Sequence, residues 1–296
     1  MADAAPTRTE QYDKLFPGRQ FISTVLDAFT TKSEMSGRLW KIYLMRAAMA
    51  GMIISIFYVS SYAIRAAFDE IPIGGTTMLP IGELLGSAVF GFALVFIYYT
   101  KSELLTSNMM IGSIGVYYNR RVWARVLRIL GLCFLGNALG GLFIAVLLLG
   151  STLLDGGTAD QIGHSIDTKL GYVQDGPSGW ADLFVRAVLC NVLINLAMLL
   201  CYNGMITSDV AKIIAMVVAV FLFAFLGLEH SVANTELFLL WGLEYGIDVG
   251  AAAANVGIAI VGNLVGGGIL IGLYYAYAND LRRAAKHGHL PGAATD

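Results

Sequence analysis

The stretch FAFLGLEHSVANTELFLL, residues 223–240, sets Glu229 and His230 side by side within an otherwise apolar run. Ionisable groups at bilayer depth are costly and persist where they have partners or face a pathway. The rest of the chain supports the membrane reading. Of 296 residues, 57% are hydrophobic and 14% charged, against about 25% charged in soluble domains, and the mean hydropathy is +0.68. Six stretches, 42–64, 78–99, 126–150, 183–201, 213–228 and 251–277, approach the ~20 apolar residues that carry a helix across a ~30 Å hydrocarbon layer. The sequence therefore predicts an all-α integral membrane protein.

The opening MADAAPTRTEQYDKLFPGRQ has no apolar core, so no cleavable signal is expected. Beyond it, Ile22, Val25, Leu26 and Phe29 recur at helical spacing, which predicts an amphipathic helix on the membrane surface. Arg120, Arg121, Arg125 and Arg128, with Arg282, Arg283 and Lys286 in the tail, mark the cytoplasmic side. The loop read at 151–180 carries Asp155, Asp160, Asp167 and Asp175 against the single Lys169, and faces outward. Six spans put both termini in the cytoplasm, as a multi-pass protein of the plasma membrane. The three cysteines, Cys133, Cys190 and Cys201, fall within spans without CxxC spacing, so neither a disulfide nor a metal site is expected. His164, His287 and His289 read as solvated, and nothing supports a nucleic-acid partner.

An internal repeat organises the spans. LGNALGG at 135–141 recurs as VGNLVGG at 261–267, and ELLTSN at 103–108 aligns with EHSVAN at 229–234, both at a separation of 126 residues. A unit of three spans, duplicated, inserts its copies in opposite orientations, the inverted-repeat plan of many transport folds. The second and fifth spans each carry a polar break, at 103–108 and 229–234. Unwound backbone at that depth is tolerated where it is buried in protein or lines a cavity, so the breaks are expected to meet at a central pathway. Half-helices starting near 106–108 and at 234 would aim N–H groups and positive dipole ends at it, which favours an anion. The repeated glycines read as close helix packing, and Asn137 and Asn263 as interhelical hydrogen bonders, with one facing the pathway as the lesser alternative.

SELLTSNMM, LGNALGG, CNVLINLAM, GLEHSVAN and VGNLVGGG occur in an order that resembles the formate/nitrite transporter family. The resemblance spans roughly 40–278 and implies an aquaporin-like fold of six helices, the second and fifth broken, assembled as a homopentamer with a pore in each protomer. By motif, His230 resembles the central pore histidine and Thr106 its partner on the opposite loop, with Asn191 and Asn263 as polar pathway residues. Phe90 and Phe223 resemble the outer constriction, and Leu94, Leu104, Leu105 and Ile194 the cytoplasmic one. The family often has Phe where Leu105 stands, which implies a differently shaped inner gate. Lys169 resembles the vestibule lysine, although its separation from Asn191 is longer than the family's. Glu229, Glu103, Ser107 and Asn234 read as supports of the two loops. The implied organisation is an N-terminal segment (1–40), a channel domain (41–278, repeats about 41–150 and 181–278) and a tail (279–296). The implied partners are a small anion of the formate, nitrite or lactate class, protons and membrane lipid, with no cofactor.

An anion entering an apolar constriction gives up hydration worth several kcal/mol. Crossing as the neutral acid avoids most of that. A carboxylic acid of pKa ~3.9 and an imidazolium of ~6.5 differ by ~2.6 units, or ~3.5 kcal/mol in water, and burial of both narrows the gap. The expected mechanism is attraction of the anion, protonation near His230 and passage of the neutral acid, with the proton drawn from His230 or from vestibule water. Three rival classes are an intramembrane enzyme, a neutral-solute channel, and a sensor that binds an anion without moving it. The first lacks a placed nucleophile and the second lacks paired Asn-Pro-Ala loops.

Overall fold

A computed structural model describes Tyr12 and residues 14–286 of the chain; His287, His289 and most of the polar leader lie outside them. Helix α1 (Arg19–Arg38) leads into α2 (Trp40–Asp69), a two-stranded hairpin (Pro72–Ile73 with Thr76–Thr77) and α3 (Leu79–Tyr99). Then follow α4 (Leu105–Tyr118), α5 (Trp123–Leu148), α6 (Gly156–Gln174), α7 (Gly176–Tyr202), α8 (Asp209–Phe225) and α9 (Ser231–Glu244). Helix α10 (Val249–Asn263) runs through a wider π-helical stretch, Leu264–Leu273, into α11 (Tyr274–Ala278), and α12 (Leu281–Lys286) closes the described chain.

Five of these segments are long and apolar enough to cross a membrane: Trp40–Asp69, Leu79–Tyr99, Arg120–Leu148, Gly176–Tyr202 and Val249–Ala278. The stretch expected as the fifth span falls on α8, whose 17 residues reach about 25 Å at 1.5 Å per residue. The outward faces are apolar: Leu127, Leu135, Leu139 and Phe143 stand exposed along α5, as a helix bathed in lipid requires. The local signals for the helix starts are ordinary. Proline occupies the first turn of α3 and α7, Ser208 caps α8 through the Ala211 N–H, and Asp248 caps α10 through the Ala251 N–H.

Helices α2, α5 and α9 pack together, as do α7, α10 and the π-helical stretch, and glycines let their backbones approach. A Cβ added at Gly136 would collide with Ala47 and the Leu44 carbonyl, and one at Gly140 with the Ala48 backbone. At Gly262 the obstacles are Ala187 and the Phe184 carbonyl, and at Gly266 the Val188 backbone. The glycines correspond at the 126-residue separation, and their partners on α2 and α7 correspond at 140. Both halves thus use one packing scheme, and the expectation of close glycine packing describes it.

Two expectations are corrected. Helix α1 is amphipathic, but Phe21, Ile22, Val25 and Phe29 are buried in the protein core instead of lying on a membrane. Phe29 packs over the bare backbone of Gly115 on α4, a surface whose burial is worth about 25 cal/mol per Å². The acidic stretch read as a loop contains α6, with Ile162, Ile166 and Leu170 buried on one side and its carboxylates at the other. The spacing of four residues between these apolar positions was the available signal.

Gly140→Ala and Gly266→Ala should each lower stability by about 1–3 kcal/mol, read as a drop in the thermal unfolding midpoint of the detergent-purified protein. Gly131→Ala, whose added methyl meets nothing within 4 Å, should stay within about 0.5 kcal/mol.

Candidate functional site

The two polar breaks have the same construction. Helix α3 ends with Thr100, Lys101 and Ser102 folding back on it: the Lys101 N–H donates to the Tyr98 carbonyl and the Ser102 N–H to Ile97. Helix α8 ends in the same way, with Gly227 N–H to Ala224 and Leu228 N–H to Phe223. The reversal needs a left-handed residue, supplied by Lys101 at φ 56° and Gly227 at φ 62°. A lysine there is unusual, since only glycine adopts that region without steric cost.

Past each reversal the chain runs extended for a few residues and re-enters a helix. Asparagines from the neighbouring spans satisfy the freed backbone. Asn137 donates to the Ala47 and Glu103 carbonyls at 2.8 Å each and accepts from the Leu105 N–H at 3.2 Å. Asn263 donates to the Ala187 and Glu229 carbonyls at 2.8 and 3.0 Å and accepts from the Ser231 N–H at 2.9 Å. The half-helices therefore start at Leu105 and Ser231, one and three residues before the expected points, because these side chains take up the first N–H of each.

Glu103 and Glu229 carry the charge of the loops. Glu103 accepts from Asn108 and pairs with Lys32 of α1. Both Glu229 oxygens accept from the Lys169 ammonium at 2.9 Å, and Oε2 accepts from Asn234 as well. Lys169, which resembles the vestibule lysine, is buried on α6 with its ammonium engaged. Burying an unpaired carboxylate costs several kcal/mol, so each loop glutamate requires its lysine.

His230 caps α9: its Nδ1 accepts from the Ala233 N–H at 3.0 Å. The ring proton is therefore on Nε2, which stands 3.0 Å from the Thr106 hydroxyl of the other break. One face of the imidazole stacks on Phe223, with ring centres 5.8 Å apart, and Phe223 meets Phe90 edge-on at 5.9 Å. A 20 Å³ apolar cavity, enough for about one water, is lined by Phe90, Leu94, Leu104, Ile194, Phe223 and His230 among others. A 280 Å³ chamber lies beyond Leu94, Ile97 and Leu104, which line both spaces, and carries Lys32, Arg46, Lys101, Glu103, Ser107 and Asn108.

The expected residues thus divide. His230, Phe90, Phe223, Leu94, Leu104 and Ile194 surround one cavity, while Thr106, Leu105, Asn191 and Asn263 line neither space. Asn191 donates to the Thr106 and Asn263 carbonyls and accepts from Asn195, so its amide fastens α7 to the first break. Lys32 and Asn195 were not singled out from the sequence. Lys32 lies on the polar side of α1, and Asn195 one turn beyond Asn191 in the same CNVLIN run.

The family model for the formate/nitrite transporter matches residues 19–277. The chain belongs to the formate/nitrite transporter family. The nitrite transporter NirC of Salmonella typhimurium is 31% identical over 237 residues, 78% of this chain and 81% of that protein. The formate channel FocA of Haemophilus influenzae is 27% identical over 261 residues, 79% and 85% of the two chains. A solved "FNT family ion channel" superposes with a TM-score of 0.75 at 25% identity, covering 88% of this chain and 100% of the other. A solved pentameric formate channel with formate bound superposes at 0.62 and 20% identity, covering 80% and 96%, and shares the fold. This member of the family is a membrane transport protein, not an enzyme.

Lys169→Met should destabilise the protein by about 3–5 kcal/mol by stranding Glu229, and Lys169→Met with Glu229→Gln should recover most of that loss. Thermal unfolding of the three proteins in detergent measures both.

Proposed function

We propose that this transporter moves small monovalent anions of weak acids, of the formate, nitrite or lactate class, through the apolar cavity at His230 and couples their passage to protons. The observation that carries this reading is the meeting of Thr106 and His230, one from each break, 3.0 Å apart beside a cavity closed by Phe90 and Phe223 on one side and by Leu94 and Leu104 on the other. Discontinuous helices that meet in a buried site are the usual substrate sites of transport folds. The relatives named for nitrite and formate support the substrate class.

In this reading the six-helix, aquaporin-like plan has its two broken spans in α3–α4 and α8–α9, and the units 41–150 and 181–278 insert in opposite senses. Arg120, Arg121, Arg125 and Arg128 hold one face and both termini in the cytoplasm of a plasma-membrane protein. The pentameric formate channel of similar fold supports a homopentamer.

The geometry also bears on where the proton comes from. With Nδ1 committed to the Ala233 N–H, imidazolium would form only by giving up the cap of α9. We favour protonation of the anion by water in the chamber containing Lys32, Arg46 and Lys101, followed by passage of the neutral acid. His230 then serves as a neutral donor through Nε2–H, positioned by Thr106, and offers a polar contact midway through an apolar passage. Leu94 and Leu104 exclude water there, which makes the neutral form the cheaper one to carry.

Uptake of formate, nitrite and lactate into proteoliposomes, with and without an inward proton gradient, tests this reading. Asparagine is a good capping residue, so His230→Asn keeps the start of α9 while removing Nε2–H. Wild type should take up these acids faster with the gradient, and the variant should lose at least about tenfold in rate while keeping the gradient dependence; loss of that dependence would make His230 itself the proton donor. Folded wild type that moves none of them would favour an anion sensor.

A further inference from the structure

Glu236 lies in the second turn of α9, outside the pathway proposed above. It is completely buried, and neither carboxylate oxygen has a hydrogen-bond partner among the described residues. Its Oε2 presses on the bare backbone of Gly141 in α5. Gly141 in turn lies against Gly51 of α2, where an added Cβ would come within 3.0 Å of the Gly141 nitrogen. One turn along α2, the Ser55 hydroxyl is likewise buried and unpartnered.

The other half of the molecule shows what this slot is. Gly267 corresponds to Gly141 at the separation of 126, and its bare backbone faces the amides of Asn191 and Asn195. Those two asparagines correspond, at the separation of 140 set by the glycine contacts, to Gly51 and Ser55. In one half, α7 fills the polar slot with two amides that reach the Thr106 carbonyl at 3.2 and 3.3 Å. In the other half α2 offers a glycine and a serine, and the space is filled from α9 by a carboxyl group.

A carboxylate at full burial without donor or cation costs several kcal/mol, and the neutral acid far less. Of the groups that could neutralise it, Arg65 on α2 lies over the Tyr62 ring, and the others are engaged elsewhere. On α6, Lys169 is bound to Glu229. On α2, Tyr62 donates to Ser165 and Tyr58 stacks on Phe90; on α5, Arg128 donates to Ser33 and Ser36 of α1. Helix α10 carries no titratable side chain, and those of α4, Tyr117 and Tyr118, lie at its far end. A metal ion would need about six oxygen ligands, and no group of three or more candidate ligands exists among the described residues. A proton needs one.

We propose that Glu236 is a proton-binding site: its carboxyl group holds a proton while α9 is seated on α5, and release of that proton to water unseats α9 and the His230 loop at its start. The O–H bond breaks, the electron pair stays on the carboxylate, and the proton passes to solvent. Acid and neutral conditions favour the seated form, and it is lost as pH rises, because the buried site accepts only the neutral acid. The site stands on packing and does not depend on which anion is carried.

Infrared spectroscopy of the reconstituted full chain tests it without any transport measurement. At pH 7 exposed carboxyl groups are ionised, since they titrate near ~4, so the C=O stretch of a protonated acid should be visible in wild type and at least about tenfold weaker in Glu236→Gln. Raising the pH should erase the band over one to two units, and the thermal midpoint should fall with rising pH until the band is gone, a fall that Glu236→Gln does not show. Absence of the band in wild type at pH 7 overturns the proposal, as does a band unchanged in Glu236→Gln. If that variant does not fold, the pH titration of the wild-type band decides alone: a band that persists unchanged through alkaline pH, with an unchanged thermal midpoint, overturns the switch.

Discussion

A helix interrupted inside an apolar layer leaves carbonyls and amides that must be bonded again, since each unsatisfied group costs about 1–3 kcal/mol. In this protein Asn137 and Asn263 carry most of that burden. Each spends both amide protons and its oxygen on the backbone of a break and of the adjoining span. The neighbouring glycines follow from the same need, because an asparagine reaches across to a carbonyl at 2.8 Å only where helices touch backbone to backbone. Packing, breaks and capping are one arrangement seen from three sides.

That arrangement also decides what His230 can do. Its position at the start of α9 is fixed by backbone bonding, so one ring nitrogen is occupied by the fold and one faces Thr106. Phe223 holds the ring plane by stacking. A residue placed so firmly is suited to making one polar contact repeatedly, and ill suited to swinging between two sites. The proposed route of the proton through chamber water follows from that restriction.

Much of this was legible in the sequence. The 126-residue repeat gave the paired breaks, since LGNALGG and VGNLVGG recur with ELLTSN and EHSVAN at the same separation, and the family motifs named His230 and Thr106. What the sequence withheld concerns where side chains turn, both outside the repeat and within it. Whether the apolar face of α1 meets lipid or protein depends on a partner surface, here Gly115 and its surroundings, that no local periodicity reveals. Lys169 drew attention as a vestibule residue, and its acidic, loop-like neighbourhood hides the helix that carries it inward to Glu229. Asn191 and Asn263 drew attention as polar residues in spans, and only coordinates distinguish a side chain bonded to backbone from one facing a cavity. Glu236 was passed over because nothing in ANTELF indicates that its partners would be missing.

The lysines that neutralise the two breaks are not themselves part of the repetition. Lys32 comes from α1 and Lys169 from α6, helices that overlap at the 140 separation and each lead into the first long helix of a half, although the two lysines themselves lie 137 residues apart. Cut out alone, either half would contain a carboxylate without its cation. The two lead-in helices therefore perform one task in both halves, and the chain can be shortened at neither place without leaving a stranded charge in the bilayer.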